Sequence, residues 1–172
     1  MIPLENNHSF FNEKFYFCPM DKKRKEARYQ RLFLQIAKLM PSCKNESSRR
    51  ATIIAVLHHK MDYYFWTGYY LLAEGELVVD HYQGLVACMK LAKDKGVCWA
   101  AINKLKPIVV PNVNEFPDHI ACDSRSKSEI VIPIKNKKGE IIGVLDVDSN
   151  EENSFDEIDA RFLEKILCLR WA

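Results

Sequence analysis

The sequence predicts an α+β fold in which helices flank a central antiparallel sheet, and three observations carry the prediction. An amphipathic helix opens the ordered pattern, two runs of β-branched and aromatic residues fold back as hairpins, and a capped helix closes the chain. From Asp21 to Met40, the residues Tyr29, Leu32, Phe33, Ile36, Leu39 and Met40 recur at three- and four-residue spacings on one stripe, and Pro41 ends the helix. Ala51, Ile54, Ala55, Leu57 and His58 mark a second helix after the polar segment Ser42 to Ser48. Phe65 to Leu72 and Leu77 to Tyr82 flank Glu74-Gly75 and read as a hairpin. Asp94-Lys95-Gly96 forms a turn opening a short helix through Val97 and Ala101, and Pro107 to Val110 reads as a strand. Glu129 to Lys135 and Glu140 to Asp148 form a second hairpin around Asn136-Lys137-Lys138-Gly139. Ser154 and Glu157, with Asp156 between them, predict the capping box of a last helix that buries Phe162, Leu163, Ile166 and Leu167.

Composition narrows the class. With 172 residues, 48% hydrophobic and 28% charged, the chain can bury one genuine core, and neither repeats nor linkers divide it. No apolar run reaches the roughly 20 residues of a membrane span. The formal net charge of +2 gives no electrostatic ground for a nucleic-acid or membrane partner. Lys22, Lys23, Arg24 and Lys25, followed by Arg28 and Arg31, read as a solvated helix face. Residues 1–20 contain Phe10, Phe11, Phe15, Tyr16 and Phe17 but no secretory h-region, and Met20 is a candidate native start. The expectation is an N-terminal extension over 1–20 and a single domain over 21–172.

The second hairpin carries unexpected acids. Closing its turn between Lys135 and Glu140 sets Ile134 against Ile141, Val131 against Val144 and Glu129 against Asp146, with Asp148 on the same face. Val131, Pro133, Ile142 and Val144 share that face, while Ile130, Ile132, Ile134, Ile141, Leu145 and Val147 occupy the other. Both faces are thus apolar, and like charges directly opposed destabilise a sheet. A solvated strand end is one reading. The other is a pocket, where desolvation and repulsion raise a carboxyl pKa so that the group can hold a proton or, ionised, receive an ammonium.

Six cysteines are too few for a disulfide scaffold. Cys18, Cys43 and Cys168 read as small buried hydrophobes. Cys88, Cys98 and Cys122 lie within a 35-residue stretch, the last in HIACD just before the acidic strand. Zinc is disfavoured because His119 with Cys122 makes only half a site, and no two cysteines have thioredoxin-like spacing. Thiol redox chemistry between distant cysteines remains, in which a sulfenic acid formed on one is captured by another. Neighbouring acids oppose a permanent thiolate but can deliver a proton to a leaving oxygen, which is what reduction of a sulfoxide requires.

QGLVAC at Gln83 to Cys88, KGVC at Lys95 to Cys98, FPDHIACDSRSKSEIVIPI at Phe116 to Ile134 and GVLDVDS at Gly143 to Ser149 together resemble the GAF-domain free methionine-(R)-sulfoxide reductases. The resemblance spans about Asp21 to Cys168. It implies a GAF fold with a six-stranded antiparallel sheet, a cytoplasmic homodimer, no metal or organic cofactor, free methionine (R)-sulfoxide as substrate and thioredoxin as reductant. By position it implies Cys122 as nucleophile, Cys88 as resolving thiol and Cys98 as an auxiliary cysteine. It likewise makes Glu129, Asp146 and Asp148 substrate-binding acids, and Trp66 and Tyr70, otherwise ordinary core aromatics, the wall around the S-methyl group. The chain departs from the family pattern at Val86, Asp94, Trp99, Asn112, Asn114 and Asp118, around the loop and short helix expected to close over the ligand. These departures motivate the alternative of a non-catalytic GAF sensor for a small amino-acid-like ligand. A zinc-binding interaction module is a third reading.

Overall fold

The computed structural model describes residues 21–120 and 122–171, so the expectations for residues 1–20, including Cys18 and the start at Met20, lie outside the described residues. Ten elements follow in the order α1 (Lys22–Leu39), α2 (Glu46–Lys60), β1 (Trp66–Ala73), β2 (Glu76–Gln83), β3 (Lys90–Leu91), α3 (Gly96–Lys104), β4 (Ile108–Val110), β5 (Ser128–Lys135), β6 (Ile141–Ser149) and α4 (Glu157–Cys168). The strands form one six-stranded sheet in the order β3-β2-β1-β6-β5-β4, with every neighbouring pair antiparallel. The two-residue strand β3 was not expected from the sequence.

Each sheet face buries its own core. On one side Ile130, Ile132, Ile134, Leu145, Val147 and Tyr69 pack beneath Tyr29, Leu32 and Ile36 of α1, Ile53, Ile54 and Leu57 of α2, and Phe162, Leu163 and Ile166 of α4. On the other, Trp66, Tyr70, Val131 and Val144 pack against Val97, Ala101 and Ile102 of α3. Burying some thirty apolar side chains at about 1.5–3 kcal/mol each is what opposes the chain entropy lost on folding.

The β5–β6 register differs from the expected one by two residues. Glu129 faces Asp148, and Val131 faces Asp146. Two separate single-residue shifts produce this. Asn136 pairs with Glu140 through a shorter loop that ends in Gly139 at φ +85°, and β6 then inserts one extra residue before Gly143. Gly143 stands at φ +152°, where an added Cβ would lie 2.2 Å from the Tyr70 carbonyl oxygen. Because only the first shift acts between the turn and the bulge, Ile141 and Ile142 exchange faces relative to the expectation. Beyond the bulge the two shifts sum to an even number, so Glu129, Asp146 and Asp148 keep their common face.

Three further expectations are corrected. The cap of α4 is Asp156, which accepts from Ile158 N–H, with Asp159 completing the box; Ser154 instead bonds Ser149 and the Glu151 carbonyl. Lys25 leaves the solvated face of α1 for the interior, where its Nζ lies 2.6 Å from Asp159 Oδ2. Tyr29 and Tyr63 both donate to Asp159 Oδ1, at 2.7 and 2.5 Å, so the buried charge pair is fully hydrogen-bonded. Finally, Cys43 is only half-buried, its Sγ 3.5 Å from Thr52 Oγ1, and Cys168 is exposed at the end of α4.

Candidate active site

The pocket lies on the α3 side of the sheet, over the middle strands. Its floor is built by alternation: the even-numbered residues of β1 and β6 and the odd-numbered residues of β5 point the same way, which brings together Trp66, Tyr70, Glu129, Asp146 and Asp148. Gly68 sits opposite Asp146, and a Cβ there would meet Trp66 Cη2 at 2.3 Å. The missing side chain lets the Trp66 indole lie along its strand, stacked between Tyr70 and Tyr82 at 5.9 and 5.5 Å. Trp66 Nε1 donates to the Leu85 carbonyl at 3.1 Å and so ties the aromatic wall to the loop that carries Cys88.

The acids are mutually perturbing. Burial, then the charges of Asp148 and Glu129, push the Asp146 carboxyl well above the ordinary range; burial and Asp148 do the same to Glu129. A hydrogen bond between these two carboxyls requires a proton shared between them. Asp148, less enclosed, is pushed up to about 6 by burial, against the opposing effect of a hydrogen bond from Ser126. Burial followed by Asp146, Glu129 and Asp148 drives the Cys98 thiol well above its usual value, so it stays protonated and donates to Asp146.

The three pocket cysteines arrive from different places. Cys98 enters on the first turn of α3 and is buried. Cys88 follows β2, Cys122 precedes β5, and the two are joined in a disulfide with their Cα atoms 5.5 Å apart. Because β2 and β5 are separated in the sheet by β1 and β6, the bridge ties together loops from opposite sides of the acidic floor. Lys95, at the N-cap of α3, contributes no side-chain cap, which leaves the first backbone N–H groups of that helix available beside the pocket.

All eight residues singled out from the sequence therefore meet in or at this pocket, and the sequence reading missed several others. His119, noticed there only as half of a zinc site, has Nε2 3.5 Å from Glu129 Oε2, and burial lowers its pKa so that it is neutral at pH 7. Ser126 and Asp123 also line the pocket; the Arg125 guanidinium beside Asp123 holds that carboxyl down to about 2. No periodicity marked these loop residues. Asp94 and Asp118, two of the departures from the family pattern, take left-handed backbone at φ +61° and +53°, a conformation aspartate tolerates better than most residues. Trp99 is buried in the core behind the pocket and is not among its lining residues.

Comparison with known proteins gives a consistent result. The family model of the GAF domain matches residues 54–167. GAF domain-containing protein A of Dictyostelium discoideum is 46% identical over 151 residues, 87% of this chain and 94% of that protein. The free methionine-R-sulfoxide reductase of Escherichia coli is 37% identical, with 72% of this chain and 76% of that protein covered. The crystal structure of free methionine-R-sulfoxide reductase from Neisseria meningitidis in complex with its substrate superposes with a TM-score of 0.81 at 37% identity, covering 90% of this chain and 91% of that one.

Proposed function

The chain belongs to the GAF-domain family of free methionine-R-sulfoxide reductases, and from that premise we propose that its acid-floored pocket reduces free L-methionine (R)-S-oxide to L-methionine. The observation that carries this reading is the Cys88–Cys122 disulfide set beside the buried acids Glu129 and Asp146 and the half-buried Asp148. Cys122, the more exposed of the two residues, is the nucleophile. Its thiolate sulfur attacks the sulfoxide sulfur, forming an S–S bond, while an acid among Glu129, Asp146 and Asp148 protonates the oxygen; the hydroxyl then passes from the methionine sulfur to the Cys122 sulfur as the old S–O bond and the S–S bond break, so that methionine leaves reduced by two electrons and Cys122 is left as a sulfenic acid. The Cys88 thiol then displaces that hydroxyl as water, forming the disulfide, and an external dithiol restores both thiols while being oxidised to its own disulfide.

The same residues account for the choice of a free amino acid. Glu129 and Asp148 receive the substrate ammonium, the uncapped N-terminus of α3 receives its carboxylate, and Trp66 and Tyr70 enclose the S-methyl group. A methionine residue within a peptide has neither charge to offer and would leave these groups desolvated and unpaired. Cys98 is an auxiliary thiol held protonated against Asp146. Thioredoxin as reductant, a homodimer and a cytoplasmic location are proposed on the family resemblance alone. The sensor alternative turned on Trp99 and the altered closing loop, and Trp99 lies outside the pocket lining.

An epimer-resolved assay tests the proposal. The purified protein is expected to consume free methionine (R)-sulfoxide and spare the (S) epimer with dithiothreitol present. Cys122→Ser abolishes the reaction, whereas Cys88→Ser completes one turnover and then stalls with thioredoxin. Binding of the sulfoxide without product formation would establish the sensor instead.

A further inference from the structure

Cys98 Sγ, a Glu129 carboxylate oxygen and an Asp146 carboxylate oxygen lie within 4.8 Å of one another, and all three residues are buried. From this cluster we infer a binding site for a thiophilic divalent cation, Zn2+ above all, which occupies the pocket in competition with the sulfoxide.

Four observations support the site. The donor set mixes one sulfur with carboxylate oxygens, which favours zinc over the oxygen-seeking magnesium and calcium. Asp146 is only 8% exposed, and among the described residues its Oδ1 is fully enclosed with no hydrogen-bond partner, beside a cluster to which this carboxylate supplies a ligand oxygen. Among the described residues neither Asp146 nor Asp148 has a lysine or arginine in salt-bridge contact, and Glu129 has only the neutral His119, so no protein cation occupies the place a metal ion would take. The spacing also fits. Tetrahedral zinc with Zn–S near 2.3 Å and Zn–O near 2.1 Å holds its ligands about 3.4–3.6 Å apart, so side-chain adjustments of about 1 Å close the set.

This ligand set differs from the His119 and Cys122 pair visible in the sequence. With Cys88 and Cys122 joined, Cys98 is the remaining pocket thiol, so the oxidised protein binds the cation without any reductant. Three protein ligands leave the fourth coordination position open toward the pocket. Because Glu129 and Asp146 are also the groups assigned to the substrate, cation and sulfoxide exclude one another; that competition rests on the function proposed above, while cation binding itself does not.

The test uses the full-length oxidised protein carrying Cys18→Ser, Cys43→Ser and Cys168→Ser, which leaves Cys98 as the only free thiol. Titration with Co2+ is expected to give a thiolate-to-metal charge-transfer band at one equivalent, discharged by Zn2+. Cys98→Ser and Asp146→Asn each weaken Zn2+ binding by more than about tenfold, and methionine (R)-sulfoxide raises the apparent Kd of Zn2+ in proportion to its concentration. Absence of the band, or a Cys98→Ser protein that binds Zn2+ as tightly, overturns the site. Should either variant fail to fold, the charge-transfer band and sulfoxide competition in the triple-serine protein still decide it. Turnover measured without metal keeps the two ideas separate: cation binding with no sulfoxide reduction defeats the function alone, and reduction with no cation binding defeats the site alone.

Discussion

Replacing Asp148 with asparagine is expected to stabilise the fold at neutral pH while weakening the grip on substrate. The Asp148 carboxyl is raised from 3.8 to about 6, chiefly by burial. The folded protein therefore binds more protons than the unfolded chain between those two values, and its stability falls as pH rises through about 6. At 1.36 kcal/mol per unit, a rise of about two units makes the ionised carboxylate cost about 3 kcal/mol at pH 7–8. The residual solvent contact of Asp148 makes this a ceiling. Asparagine keeps the shape and a partner for Ser126 but carries no charge, so at pH 8 Asp148→Asn should gain up to about 3 kcal/mol, or about 6–12 °C in Tm for a chain of this size. Below pH 4 the wild-type carboxyl is neutral as well, and the two proteins should converge. Urea denaturation from pH 4 to pH 8, with kcat/KM measured on the same samples, provides the assay. A stability difference that is absent at pH 8, or equally large at pH 4 and pH 8, would refute the account, because neither pattern follows from an ionising buried acid.

The remaining predictions concern other parts of the fold. The Cys88–Cys122 bridge closes a span of 34 residues, for which chain entropy gives about 3.8 kcal/mol; oxidised protein should be more stable than reduced by up to that amount, and Cys88→Ser should match the reduced form in denaturant titrations whether or not reductant is added. Lys25→Met leaves Asp159 buried without its cation and should cost about 3–5 kcal/mol, with kcat unchanged wherever the variant is folded, since the pair lies on the sheet face opposite the pocket. Gly143→Ala forces a side chain onto the Tyr70 carbonyl at φ +152° and should cost about 3 kcal/mol or more by thermal unfolding; a fully stable alanine variant would mean that the bulge is absent.

Much of the site was legible because its acids lie on strands, where period-two alternation assigns faces without any knowledge of partners. The pairing of Glu129 with Asp148 was not legible, since it depends on where the turn closes, which the Asn136 side chain sets by accepting from Lys138 and Glu140 N–H, and on a bulge at Gly143, which lies against β1. The faces of the acids survived because the two shifts add to an even number, while those of Ile141 and Ile142 did not. Lys25 was misread for a related reason: its partner Asp159 lies 134 positions away, and helical spacing alone cannot distinguish a lysine that meets a buried carboxylate from one that meets water. The loop residues His119, Asp123 and Ser126 join the pocket only through the path of the chain before β5. The pairing of Cys88 with Cys122 came from family resemblance, as spacing alone left zinc and inert thiols open.

The bridge that spans the acidic floor also separates what can drift from what cannot. Glu129, Asp146 and Asp148 are held by main-chain ladders on interior strands, so a substitution at the rim leaves the three carboxyls in place. Cys88 and Cys122 ride on loops, and it is next to such loops that Asp94 and Asp118 take left-handed backbone. The rim can therefore be rebuilt through two loops while the strand ladders keep the three carboxyls on one face.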